Sequence, residues 1–189
     1  MRIGIGIPNT VLDVPGPLLL AWARRAQERE FSSLATLDRI AYPSYDSLTA
    51  LTAAAAVTDR IGLFTNVLLE PCYNPVLLAK ITGSIDQISG GRLTLGVGVG
   101  ARPDDFQLTE RGFADRGRRL DADLGLLHQA WAGELVAGSP FPVGPLTTRG
   151  RLPLMIGGQA ELAAPRAVRW QAGFTIGGAP PEMAGGAIQ

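Results

Sequence analysis

The chain is short of the side chains that most often carry chemistry. Its 189 residues include one cysteine, Cys72, one histidine, His128, and one lysine, Lys80. A lone cysteine excludes an intrachain disulfide framework and a thiolate cage for a metal. A lone histidine excludes a site built on two or more imidazoles. Excess charge of one sign is also missing, with 17 Lys and Arg against 17 Asp and Glu. No basic field is therefore available to hold a phosphate backbone, and nucleic acid is not an expected partner. No apolar run approaches the ~20 residues that cross a bilayer. The N-terminal Met1-Arg2-Ile3-Gly4-Ile5-Gly6-Ile7 alternates like a strand rather than a signal peptide. No membrane partner is expected, and the expected compartment is the cytoplasm.

What is present is material for a packed core: 46% of the residues are hydrophobic and 18% charged. The pattern runs strand then helix, repeatedly. Ile3, Ile5 and Ile7 open a strand closed by Pro8-Asn9, and Leu19, Trp22, Ala23 and Ala26 mark one helical face. A second strand, Ser33 to Leu37, ends at Asp38, and an alanine-rich helix follows over Ser47 to Thr58. Ile61 to Leu68 is nearly all apolar, which predicts a strand buried on both faces. Asn74-Pro75 caps the next helix, Leu77, Ile81, Ile85 and Ile88 are its expected buried stripe, and Gly90-Gly91 ends it. Arg92 to Gly100 is the fourth strand, and Leu120, Leu124, Leu127 and Trp131 give a further helix. Residues 134–152, rich in Gly, Pro and Thr, are a connecting excursion. Pro153 to Ile156 is a strand ending in Gly157-Gly158. A short helix carries Ala167 and Val168, with Pro165 in its first turn or kinking it. Phe174-Thr175-Ile176 is the last strand, ending in Gly177-Gly178.

Six strands alternating with helices predict an α/β protein with a parallel sheet and right-handed crossovers. Glycines at strand ends suit a TIM-type (β/α) barrel, whose site lies at the C-terminal rim. Eight units and ~250 residues make a typical barrel. The expectation is therefore one domain over residues 1–189, an incomplete barrel of about six of the eight βα units.

Candidate chemistry is sparse. Gly96-Val97-Gly98-Val99-Gly100 lacks the spacing of a dinucleotide loop and is equally read as small residues easing tight packing at the rim. Gly157-Gly158 and Gly177-Gly178 follow late strands, where freed backbone N–H groups can receive a phosphate, or where the chain simply turns. Asp38 and Asn66 sit at strand ends facing the mouth; Asp38 could hydrogen-bond a ligand ring, or pair with Arg39, or cap a helix. His128 lies beside an apolar stripe and reads as structural. Cys72 has no neighbour in sequence to lower its pKa, and Asp104-Asp105 reads as a solvated face. With no convincing acid–base pair or nucleophile, an enzyme of this composition would leave the hard chemistry to a bound cofactor.

Several runs, in this order and spacing, resemble the luciferase-like monooxygenase superfamily. They are Leu37-Asp38-Arg39-Ile40-Ala41-Tyr42-Pro43, Thr65-Asn66-Val67-Leu68-Leu69-Glu70-Pro71, Asn74-Pro75-Val76-Leu77-Leu78-Ala79-Lys80, and Ile85 through Gly98. Arg116 to Asp121 and Pro153 to Gly158 extend the similarity over essentially the whole chain. The resemblance implies a flavin- or deazaflavin-dependent oxidoreductase that binds FMN or coenzyme F-420 at the barrel mouth and acts on a small organic substrate. The alternative is a non-catalytic remnant that binds the cofactor only. Position by position, the resemblance would put Asp38 by the ring and Asn66-Val67 behind it, at a bulged strand end often bearing a non-prolyl cis peptide. Gly98 and Gly100 would line the ring or ribityl chain, and Gly157, Gly158, Gly177 and Gly178 would meet the phosphate. The sequence departs from the family pattern at Arg39, where some branches carry a histidine, and at Ala101, where the sugar-phosphate dehydrogenase branch carries an acid. A six-strand sheet has two edges, so a second copy of the chain is expected to cover them.

Overall fold

The computed structural model describes residues 2–176. Six strands form one parallel sheet in sequence order: β1 (Gly4–Gly6), β2 (Ser33–Thr36), β3 (Gly62–Thr65), β4 (Leu93–Gly98), β5 (Leu154–Gly157) and β6 (Gly173–Thr175). Between them run α1 (Gly16–Glu28), α2 (Ser47–Val57), α3 (Pro75–Ser89), the short α4 (Pro103–Leu108), α5 (Arg116–Trp131) and α6 (Ala160–Arg169). This is the incomplete TIM-type barrel that the strand–helix alternation predicts. Among the described residues β1 and β6 pair on one side only.

The alternation of side chains decides what the sheet buries. Leu34, Leu63, Leu93, Leu95, Val97, Leu154 and Ile156 point toward the helices and are buried. Ser33, Ala35, Phe64, Thr94 and Met155 lie on the other face and are only half-buried. The third strand is thus one-sided, not buried on both faces as its apolar run predicts, because six strands do not close around their inner face. Phe64 lies across that face over Gly96, where any Cβ would collide with the Thr65 carbonyl oxygen and the Phe64 ring.

Helix starts follow their sequence signals. The Asp46 carboxylate accepts from the Thr49 N–H at 2.6 Å at the head of α2, and the Asn74 side chain accepts from the Leu77 N–H at 3.1 Å at the head of α3. Gly90 ends α3 in the left-handed conformation at φ 65°. The buried face of α3 is Leu78, Ala79, Thr82, Gly83, Ile85, Asp86 and Ser89. Leu77 and Ile88, expected in the stripe, are 56% and 55% exposed. The helix packs between α2 and α5, and it does so with small and polar residues that an apolar stripe passes over. Thr82 Oγ1 accepts from the Trp131 indole N–H at 3.1 Å, and Asp86 accepts from the Thr148 N–H at 2.6 Å. Trp22, expected on the buried face of α1, is instead at the surface with its indole N–H donating to the Gly6 carbonyl at 3.0 Å.

Residues 134–152 contain no helix or strand, as their composition predicts. The segment is strapped to α3, with the Gln87 amide donating to the Leu146 carbonyl at 2.8 Å and Lys80 to that of Gly144 at 3.1 Å. In α6, Pro165 lies inside the helix rather than in its first turn, and Val168 is exposed. No helix among the described residues is long and apolar enough to cross a membrane.

Candidate functional site at the strand ends

A hollow of about 510 Å³ lies in the open face of the sheet, running along β1 and β2 to the end of β3. Its lining is mixed: Ile5, Ala35, Leu37 and Phe64 stand beside Asn9, Thr10, Ser33 and Thr36, with Asn66 at the end of β3. Asn9, 1% exposed, builds the rim: its amide donates to the carbonyls of Leu37 at 2.8 Å and Tyr45 at 3.3 Å, while its oxygen accepts from the Leu37 N–H at 3.2 Å. Leu37 is thereby held with its side chain 52% exposed toward the hollow.

Asp38 follows directly and is buried. Its carboxylate accepts from the Leu69 N–H at 2.9 Å and from the Tyr73 hydroxyl at 3.1 and 3.2 Å. Burial pushes its pKa from 3.8 up to about 6, against the lowering effect of those two donors. Neither alternative raised from sequence holds for it. Arg39 turns away to Asp105, with Nε 3.0 Å from Oδ2, and Asp38 caps no helix. Asp105 is the correction to the solvated-face reading: it is 1% exposed, and it also accepts from the N–H groups of Ile40 at 2.8 Å and Ala41 at 2.7 Å. Sequence reading missed α4, whose first turn carries Asp105. Asp104 does remain at the surface, bridging to Arg39 at 3.2 Å.

At the end of β3 the Asn66-Val67 peptide is cis, as the resemblance implies. The Thr65 hydroxyl accepts from the Gly96 N–H at 2.8 Å and donates to its carbonyl at 2.7 Å, so a side chain carries the ladder across the bulge. Leu68 then rejoins β4, its N–H donating to the Gly96 carbonyl at 2.8 Å. The Val67 side chain fills the space above two glycines. A Cβ on Gly98 would lie 2.7 Å from one Val67 methyl carbon, and one on Gly157 would lie 2.6 Å from the other. Three residues singled out from sequence thus meet in one contact, and the close-packing reading of Gly96 to Gly100 holds for Gly96 and Gly98. Asn66 is exposed, and its side-chain oxygen accepts from the Thr175 hydroxyl at 3.3 Å, which links the ends of β3 and β6.

Gly100 stands apart at φ 72°, its carbonyl accepting from Arg116 Nε at 3.0 Å. Gly158 is exposed at φ 149° in the turn from β5 to α6, ahead of the helix whose first N–H groups have no side-chain cap. Gly177 and Gly178 lie outside the described residues. His128 is structural: its Nδ1 lies 2.8 Å from the Leu124 carbonyl and its ring stacks on Trp170 at 5.0 Å. Cys72 is buried and its thiol is pushed up to about 11 by that burial.

Glu70, Tyr73 and Asn9 are the residues that sequence reading passed over. Their signal was positional: each lies in the loop that follows a strand, Asn9 after β1, Glu70 and Tyr73 after β3.

The lining offers both apolar surface, at Ile5, Leu37 and Phe64, and polar groups, Asn66 among them. In the turn after β5 the Gly158 N–H donates to the Thr175 carbonyl at 3.4 Å, and the first N–H groups of α6 carry no side-chain cap. Comparison with known proteins agrees with this architecture. A family model described as luciferase-like monooxygenase matches residues 1–189. The F-420-dependent glucose-6-phosphate dehydrogenase of Nakamurella multipartita is 32% identical over 188 residues, covering 89% of this chain and 55% of that protein. The crystal structure of the monooxygenase RslO1 from Streptomyces bottropensis superposes with a TM-score of 0.85 at 26% identity, covering 100% of this chain and 64% of that one. The oxygenating constituent of 3,6-diketocamphane monooxygenase from Pseudomonas putida, in complex with FMN, shares the fold at a TM-score of 0.78 and 18% identity, covering 93% and 57%. The chain spans less than two thirds of the length of each of these three.

Proposed function

The chain belongs to the luciferase-like monooxygenase family, and from that premise we propose that it is a flavin- or deazaflavin-dependent oxidoreductase. It binds FMN or coenzyme F-420 at the barrel mouth and acts on a small organic substrate by hydride transfer or O2-dependent oxidation. The observation that carries this reading is the hollow along β1–β3, which sets Leu37 and Phe64 beside polar groups that include Asn66. Similar proteins point to both cofactors: one neighbour is in complex with FMN and one relative is F-420-dependent.

The redox chemistry is supplied by the cofactor when bound. The chain's own residues bind and orient. Leu37 and Phe64 present apolar surface to a ring, and Asn66 offers an amide N–H to its polar edge. The Val67 side chain, wedged over Gly98 and Gly157, fixes the floor of the mouth. Beyond the Gly157-Gly158 turn, the first N–H groups of α6, uncapped by any side chain, would meet a phosphate. Asp38 acts from beneath, since its carboxylate is already held by Leu69 and Tyr73 and organises the loop after β3 rather than touching a ligand.

A second reading, cofactor binding without turnover, is favoured by one observation. The buried Asp38 is the acidic group nearest the hollow along the chain, and both its oxygens are engaged. Titration with FMN and, separately, F-420, followed by fluorescence, tests the shared part of both readings. Saturable binding of one cofactor is expected, and no binding to either overturns both. Substrate-dependent reoxidation of the reduced complex then separates enzyme from binding module. The same reading places a second copy of the chain against the one-sided strands β1 and β6. Light scattering during the titration is expected to report a dimer or larger, and a monomer with saturable binding removes that partner.

A further inference from the structure

One buried group near the mouth has no part in the reading above. Glu70 opens the 3-10 turn, Glu70–Cys72, that follows the β3 bulge. It is 0% exposed, and neither of its carboxyl oxygens has a hydrogen-bond partner. The turn packs against α5. From that helix comes Asp123, whose Oδ2 is likewise buried and unpartnered. Two cations face the pair, Arg119 from α5 and Arg111 from the loop before it, and both are committed elsewhere. Arg119 Nη2 holds Asp115 at 2.9 and 3.0 Å, and Arg111 donates to the Tyr73 carbonyl.

A fully buried carboxyl and the buried oxygen of a half-buried one, with no donors between them, are reconciled by one proton. A neutral Glu70 has an O–H to give, and Asp123 has an oxygen free to accept it. The position of Glu70 gives that proton a consequence. Leu69, immediately before it, supplies the N–H bound to Asp38. Tyr73, three residues on, supplies the hydroxyl, and its own N–H donates to the Glu70 carbonyl at 2.9 Å. Both donors to Asp38 therefore sit at the two ends of the segment that Glu70 anchors.

We propose that Glu70 is a positioning residue for the mouth: as the neutral acid shared with Asp123, it seats the turn on α5 and so keeps the Leu69 N–H and the Tyr73 hydroxyl on Asp38. Ionisation of Glu70 puts two negative charges in a buried space and loosens the seat. Burial first, and Asp123 second, push the Glu70 carboxyl up to about 9, while Arg111 and Arg119 pull it down, so the neutral form prevails at neutral pH. The inference deepens the proposed function by naming what regulates the same site.

The test reads Asp38 directly, without cofactor, from the titration of its carboxyl carbon by NMR in the wild type, E70Q, E70M and D123N. E70Q keeps a neutral donor for Asp123 and is expected to leave the Asp38 midpoint where it is in the wild type. E70M fills the same volume with no donor, and the Asp38 midpoint is expected to rise by about one pH unit as its two donors loosen. Thermal melts from pH 6 to 10.5 give a second readout. The wild type is expected to lose stability as pH rises toward 9 and E70Q to lose that limb. D123N, lacking the repelling charge, is expected to move the limb to lower pH. An E70M variant with the wild-type Asp38 midpoint would mean that Glu70 only fills space, and an alkaline limb unmoved by D123N would mean that the two carboxyls are uncoupled. Either result overturns the proposal. Failure of the wild type to bind either cofactor would overturn the proposed function and leave these two readouts standing.

Discussion

The Tyr73 hydroxyl donates to both carboxylate oxygens of Asp38, 3.2 Å from Oδ1 and 3.1 Å from Oδ2, across 35 residues of sequence. It pins the loop after β3 to the end of β2, and it favours the ionised form of an acid that burial drives the other way. Y73F is therefore expected to raise the Asp38 pKa above its value of about 6. The folded-state pKa exceeds the unfolded 3.8, so the stability linked to this group is full below that value. It is lost as pH rises through about 6, at ~1.4 kcal/mol per unit inside that window. Y73F extends the window upward. Urea melts from pH 3.5 to 8, taken as the difference between variant and wild type to cancel the Glu70 contribution, check this. A Y73F difference curve that is flat above pH 6 contradicts it.

Arg39 and Asp105 form the most buried ion pair among the described residues, with side chains 15% and 1% exposed. Removing one partner leaves the other charge buried, which typically costs ~3–5 kcal/mol. D105A is expected at the upper end, because it also strips the acceptor from the N–H groups of Ile40 and Ala41. R39A is expected at the lower end, since those two N–H groups still hold Asp105. Urea unfolding of the two variants gives the ranking. The reverse order would mean that the guanidinium, not the backbone, is the main support of Asp105.

Val67 separates two accounts of the rim glycines. If Gly98 lacks a side chain to admit Val67, G98A overpacks the contact and costs ~1–3 kcal/mol without any cofactor. V67A is then expected to recover part of that loss, with a coupling above ~0.5 kcal/mol in the double-mutant cycle. If Gly98 serves only the cofactor, G98A leaves the apo protein as stable as the wild type and lowers affinity alone. Stability and FMN or F-420 titrations on the same four proteins decide between them.

How much of this was legible in the sequence depends on distance along the chain. Strand–helix alternation, the Asn74 cap, the Gly90 stop and the stripe of Leu120, Leu124, Leu127 and Trp131 are local signals, and the structure honours them. Leu77 and Ile88 were placed in the core because they are apolar. The helix instead buries Thr82 and Asp86, whose partners, Trp131 and Thr148, come from 49 and 62 residues away. Asp105 looked solvated for the same reason, since its partner Arg39 lies 66 residues earlier. Charges that are neutralised across the fold carry no local signature. The cis peptide at Asn66-Val67 came from family resemblance, and nothing in the residues alone foretold it.

Asn66 offers the sharpest link between hollow and function. It is exposed, its oxygen accepts from the Thr175 hydroxyl at 3.3 Å, and its amide nitrogen, with no partner among the described residues, can donate to a ligand in the hollow. Removing an exposed side chain away from the core changes stability little, within ~0.5 kcal/mol. Loss of one neutral hydrogen bond to a bound ring weakens affinity by about 2- to 12-fold, from ~0.5–1.5 kcal/mol. N66A is therefore expected to melt like the wild type and bind FMN or F-420 several-fold more weakly. T175V keeps Asn66 but frees its side chain, so its affinity is expected to fall by less, through lost orientation rather than a lost donor. An N66A protein that binds as tightly as the wild type would remove Asn66 from the site and leave the rest of the hollow's lining to recognise a ring.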